Sequence, residues 1–160
     1  MLYATDFSKA SRKALGYIKG LKGAGLKEVV LLHVIDLENL LDELKSANTA
    51  LVNLNEEKFK ALTKACSNLE IWLHNLRKIE EEARRELEEI EKELRVEGFE
   101  VKSVVSVGKP FVEIVHLAKE EDVSAIVVGS HGKGVVRLTL LGSCSEGVVR
   151  HATKPVLVVK

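Results

Sequence analysis

The chain reads as a three-layer α/β domain: an open, twisted, parallel sheet of five strands with helices on both faces. Three observations predict it. Short apolar runs recur along the chain, and each is followed by a stretch with apolar residues at helical spacing. One of these runs, Val-Val-Leu-Leu-His-Val-Ile over 29–35, is nearly all apolar, as in a strand covered on both faces. Strands that alternate with helices pair in parallel through right-handed crossovers, which places the helices on the two faces of one sheet.

The elements follow in order. Met1 to Thr5 reads as a short first strand. Asp6-Phe7-Ser8 offers cap residues, and Ala10, Ala14, Leu15, Ile18 and Leu21 then recur on one helical face, closed by Gly20, Gly23 and Gly25. Strand two spans Glu28 to Ile35. An extended helical segment runs from Glu38 to about Val96, with Ser46 to Asn55 ambiguous and Ser67-x-x-Glu70 a capping box that would break it in two. Phe59, Leu62, Cys66, Leu69, Leu73, Leu76, Ala83, Leu87, Ile90 and Leu94 form its stripe, which Trp72 and Ile79 widen. Pairs such as Glu80–Arg84 and Glu81–Arg85 support its solvated face. The stripe reads as core-facing, or alternatively as a lid or partner-binding surface.

Gly98 closes that helix, and Glu100 to Val107 is strand three. Pro110 is placed to begin a helix whose buried face is Phe111, Ile114, Val115 and Ala118. Ser124 to Val128 is strand four, Ser143 to Ala152 the last helix, and Pro155 to Val159 strand five.

Length and composition agree with this reading. With 160 residues, 46% hydrophobic and 30% charged, the chain is expected to be a single soluble domain over 1–160. Lys and Arg (24) balance Asp and Glu (24), which argues against a general nucleic-acid or membrane-surface binder. Cys66 and Cys144 fit no ligand spacing and read as free thiols. The longest apolar runs are too short for a transmembrane span, so a cytoplasmic location is expected.

The chemistry concentrates at Gly129-Ser130-His131-Gly132, followed after nine residues by Gly142-Ser143-Cys144-Ser145. A strand, a glycine turn and a helix start together suggest a phosphate cradle, because glycine lets backbone approach a ligand and helix-start N–H groups favour an anion. There is no Gly-x-x-x-x-Gly-Lys-Ser/Thr, no glycine after strand one where a dinucleotide fingerprint requires it, and no Gly-x-Ser-x-Gly elbow.

The remaining pattern, Gly-x2-Gly-x9-Gly-Ser at Gly129, Gly132, Gly142 and Ser143, resembles the ATP-binding motif of the universal stress protein family. Ala4-Thr5-Asp6-Phe7-Ser8, Leu32-His33-Val34-Ile35-Asp36, Gly108-Lys109-Pro110 and Thr153 to Val159 resemble that family in the same order, over nearly the whole chain. The resemblance implies strand order 3-2-1-4-5 and an ATP site. In it, Val34 hydrogen-bonds adenine through its backbone. Ala4, Thr5 and Asp6 line the nucleoside side, with Asp6 near the ribose or, indirectly, a phosphate-bound Mg or Mn. Gly129, Ser130, His131 and Gly132 follow the ribose and α-phosphate, and Lys133, Gly134 and Val135 border the phosphate tail. Gly142 allows close approach, while Ser143, Cys144 and Ser145 donate to the β- and γ-phosphates.

Plainer roles stand beside these. Asp6 and Ser143 also read as helix caps, His131 and Lys133 as solvated loop residues, and Cys144 as a residue that offers only its backbone. The leading expectation is an ATP-binding regulatory protein, a nucleotide-dependent switch or adaptor with slow or no hydrolysis. It would act on an unknown protein partner and form a homodimer through strand five, Pro155 to Val159, whose apolar edge invites pairing. The alternatives are an ATPase or autophosphorylating enzyme using Asp6 and a divalent metal, and a nucleotide-free scaffold built on the long helices.

Overall fold

The structure, a computed structural model, describes residues 1–36, 57–132 and 141–160, with side chains for all of these except 57–72. The strands are β1 (Leu2–Ala4), β2 (Glu28–Asp36), β3 (Glu100–Gly108), β4 (Ile126–Gly129) and β5 (Val156–Val159). The helices are α1 (Lys9–Gly20), α2 (Glu57–Val96), α3 (Pro110–Glu120) and α4 (Ser143–His151), with a 3₁₀ turn at Leu21–Ala24. All strand pairs are parallel, as the alternation of strands and helices predicts, and the order is β3-β2-β1-β4-β5, as the family resemblance implies.

Strand alternation sorts the core onto two faces. Tyr3, Val29, Leu31 and Val127 face α1 and α2, where they meet Ala14, Leu15, Ile18, Leu87, Ile90 and Leu94. Leu2, Ala4, Leu32, Ile126 and Val128 face α3 and α4, where they meet Ile114, Ala118 and Val148. The three-residue β1 lies at the centre and is buried throughout. Its register runs Leu2↔Val30 on one side and Leu2↔Ile126 on the other. Because β2 continues four residues beyond its last partner in β1, a gap opens at the C-terminal end of the sheet.

The helix boundaries follow local chemistry. Ser8, rather than Asp6, caps α1 by accepting the Ser11 N–H at 3.2 Å. Gly25 and Gly98 take left-handed φ of 95° and 82°, which ends the 3₁₀ turn and closes off α2. Pro110 opens α3 as expected. The backbone of α2 is continuous from Glu57 to Val96, so Ser67 and Glu70 do not divide it. A capping box requires a non-helical residue at its first position, and a single serine inside a run of good helix formers does not impose one. The expected helical segment from 38 to 56, including the ambiguous Ser46 to Asn55 stretch, lies outside the described residues. Arg12–Glu86 (2.6 Å) and Lys19–Glu93 (2.5 Å) join α1 to α2 at the surface. Among the described residues no helix is long and apolar enough to cross a membrane.

Candidate functional site

A cavity of about 420 Å³ lies over the C-terminal ends of β1, β2 and β4, walled by the starts of α3 and α4. This is where the connections from a doubly wound sheet diverge, β1 leading to one face and β4 to the other.

One wall is the turn from β1 into α1. Ala4, Thr5 and Asp6 line the cavity, together with Ser11. Tyr3 donates to the Ser11 carbonyl at 2.7 Å. The Thr5 and Ser11 hydroxyls lie 3.1 Å apart, and Ser11 Oγ donates to the Ser8 carbonyl at 3.0 Å. Thr5 Oγ1 accepts the Phe7 N–H at 3.0 Å, and Asp6 Oδ1 accepts the Ser8 N–H at 3.1 Å. These bonds hold Phe7 at φ 61°, a left-handed conformation that bulky residues rarely adopt. The Phe7 ring stacks on His33 at 4.4 Å. His33 Nδ1 lies 2.8 Å from the Thr5 carbonyl. That oxygen can only accept, so Nδ1 carries the ring proton. Burial holds the Tyr3 hydroxyl above its usual pKa.

The second wall is the overhanging end of β2. Val30 N–H donates to the Met1 carbonyl, and Leu32 C=O accepts from Thr5 N–H. Backbone groups alternate sides along a strand, so those of Val34 also point toward β1. By then β1 has ended, which leaves the Val34 N–H and C=O facing the cavity it lines.

The third wall is the end of β4 and the start of α4. Gly129, His131, Gly132, Gly142, Ser143, Cys144 and Ser145 line it. The cap of α4 is Gly142, not Ser143, which stands at the first helical position. The first intrahelical bond joins Glu146 N–H to Gly142 C=O, so the N–H groups of Ser143, Cys144 and Ser145 precede the helical ladder.

Ser130, expected along the ribose and α-phosphate, and Ser145, expected as a phosphate donor, both bury their side chains in the protein. Ser130 is buried and does not line the cavity. Its N–H donates to Val159 C=O at 2.7 Å, and its carbonyl accepts Gly142 N–H at 2.8 Å. In phase with Ile126 and Val128, its side chain faces inward. Ser145 is also buried, and its hydroxyl donates to the carbonyls of Ser130 (2.8 Å) and Gly142 (2.9 Å). Its one proton is therefore engaged within the protein and is not available to a ligand. Both residues clasp the base of the connection between β4 and α4. Lys133, Gly134 and Val135 lie outside the described residues.

The glycines serve contacts between chain segments. A Cβ on Gly129 would stand 2.9 Å from the Ser11 nitrogen and 3.1 Å from its Cα, so glycine here admits the backbone of α1. A Cβ on Gly142 would approach the Ser130 carbonyl at 3.4 Å. Close approach of a ligand is thus not the reason for Gly129.

Asp6 and Asp36 both line the cavity. Burial, then the charges of Asp6 and Asp36, push the Cys144 thiol up to about 11, so it stays protonated and unreactive at neutral pH. Among the described residues no group of three or more His, Cys, Asp or Glu could hold a metal ion. Sequence reasoning missed Ser11, His33, Asp36 and Ile79 as lining residues.

Comparison with known proteins gives a consistent picture. The model of the universal stress protein family matches residues 1–160. Universal stress protein MJ0577 of Methanocaldococcus jannaschii is 42% identical over 160 residues, covering 100% of this chain and 93% of that protein. Its solved structure superposes with a TM-score of 0.79 at 38% identity, over 99% of this chain and 93% of that one. Universal stress protein YxiE of Bacillus subtilis is 30% identical over 161 residues, covering 100% and 97%. A universal stress protein solved in complex with cAMP shares the fold at 19% identity and a TM-score of 0.55, over 99% of this chain and 93% of that one. The full-length match and the identity to MJ0577, on a sheet with this strand order, make the chain a member of the universal stress protein family.

Proposed function

We propose that the chain is an ATP-binding regulatory protein of the stress response, a switch or adaptor that holds the nucleotide with slow or no hydrolysis. One observation carries this reading. A single cavity has the open Val34 backbone pair on one wall and the open N–H groups of α4 on another. A donor beside an acceptor suits the N1 and N6 edge of adenine. Helix-start N–H groups, reinforced by the helix dipole, suit phosphate. Gly132, His131 and Asp6 lie between the two and would meet the ribose and α-phosphate. Asp6 lines the same cavity and would contribute indirectly to holding a Mg or Mn that the phosphate oxygens bind.

Equilibrium titration of the purified protein with ATP, AMP and adenosine, with and without Mg²⁺, tests the reading. One nucleotide per chain is expected, and no ATP binding at millimolar concentration would refute it. Single-turnover hydrolysis tests the regulatory part. Turnover that Asp6→Ala abolishes would move the protein to the enzyme class.

Homodimerisation through β5 belongs to the same proposal. The strand is at the sheet edge, and its odd-numbered residues bond to β4 while Val156 and Val158 turn their backbone groups outward. Val158→Pro therefore removes an edge N–H without breaking the β4 ladder. A monomer by light scattering is expected, and an unchanged mass would exclude pairing through that residue.

A further inference from the structure

We infer that Ile79 of α2 contacts the nucleoside part of the ligand, making the long helix a wall of the nucleotide site whose order depends on occupancy. The inference rests on the nucleotide reading above.

The buried stripe of α2 runs Leu94, Ile90, Leu87, Ala83, and each of these packs against the sheet or is covered at its face. Ile79 is the next residue in phase. It is half-buried, and what lies beside it is the cavity. Leu76 is also half-buried, and Leu73 is 40% exposed. The helix thus leaves the core at the cavity mouth and carries its apolar face past it.

The position along the cavity follows from packing. α2 lies on β2 and β3, whereas the phosphate-suited N–H groups sit at α4, across β1 and β4. Ile79 is therefore at the β2 end, with Val34. Ile114 and Pro110 line the same cavity from the opposite face of the sheet. A flat base lying over the end of β1 would have apolar side chains on both sides.

The chemistry sets a distinctive expectation. An apolar contact to the base acts equally on every ligand that contains it, so Ile79→Ala should weaken adenosine, AMP and ATP by the same factor, roughly tenfold. Ile79→Met, which keeps volume, should restore binding. In hydrogen exchange, adenosine should slow the amides of residues 73–82 in the full-length protein, a response that a purely structural role for Ile79 would not produce. If Ile79→Ala changes the three affinities less than twofold while the wild type binds all three, or if adenosine leaves 73–82 unprotected, the α2 contact is overturned and the nucleotide reading survives. If the wild type binds none of the three, the nucleotide reading itself fails and takes the contact with it.

Discussion

The two walls that face each other across the cavity are built on opposite principles. On the β1–α1 side, Tyr3, Thr5, Ser8 and Ser11 direct their hydroxyls to one another and to nearby backbone. On the α4 side, three N–H groups stand ahead of the helical ladder. The first wall is closed on itself and holds a strained turn in place. The second keeps its polarity for whatever enters. The difference teaches that shape and affinity are carried by different residues here, and substitutions should separate them.

The largest effect is expected at Gly129. Gly129→Val drives a branched side chain into the α1 backbone, 2.9 Å from the Ser11 nitrogen, and should cost about 3 kcal/mol in urea unfolding. A loss below about 1 kcal/mol would mean that the closed wall yields easily and the contrast is overstated. Ser11→Ala comes next. It leaves the proton of the buried Thr5 hydroxyl without its partner and should cost about 1.5 kcal/mol. A variant as stable as the wild type would show that the hydroxyl network is incidental.

Ser143→Pro probes the open wall alone. Proline suits the first helical position, and Gly142 already has the extended backbone (φ −76°, ψ 162°) that a following proline requires. Stability should hold within about 0.5 kcal/mol, while ATP affinity falls about tenfold and adenosine affinity stays within about twofold. Equal loss for both ligands would remove the phosphate role of α4.

The smallest effect at neutral pH concerns Cys144. Its thiol is raised from 9.0 to about 11 in the folded protein, so the unfolded chain releases the proton first. The contribution is fully present below pH 9 and is lost as pH rises toward 11. Comparing Cys144→Ala with the wild type across that window isolates the slope, and identical slopes would show that the thiol is not perturbed. In a Cys66→Ser background, alkylation of Cys144 should likewise stay slow until pH approaches 11.

The sequence made the closed frame more legible than its internal wiring. Continuous apolar runs marked β2, β4 and β5, because a parallel sheet covered on both faces leaves that signature, whereas the edge strand β3 carries polar residues among its valines. The spacing of Gly129, Gly132 and Gly142 located the cavity because chain segments must cross closely there. The inward turn of the Ser130 and Ser145 side chains is less legible, because a glycine motif does not say which hydroxyls the protein's own carbonyls take, as those of Ser130 and Gly142 take Ser145. Ile79 was read simply as stripe. A pattern of helical spacing does not say where the sheet beneath the helix ends, and that depends on β1 being only three residues long.

The central place of β1 also governs when the molecule can become competent during synthesis. Its two flanking partners are Val30 and Ile126, so the first strand made waits for one of the last before the middle of the sheet is complete. Closing so long a loop is entropically slow, and at ordinary elongation rates the wait is on the order of ten seconds. Until β4 emerges, Leu2, Tyr3 and Ala4 have one neighbour and the cavity lacks a side. A ribosome-bound chain from which Ser145 has not yet emerged therefore has no complete cavity.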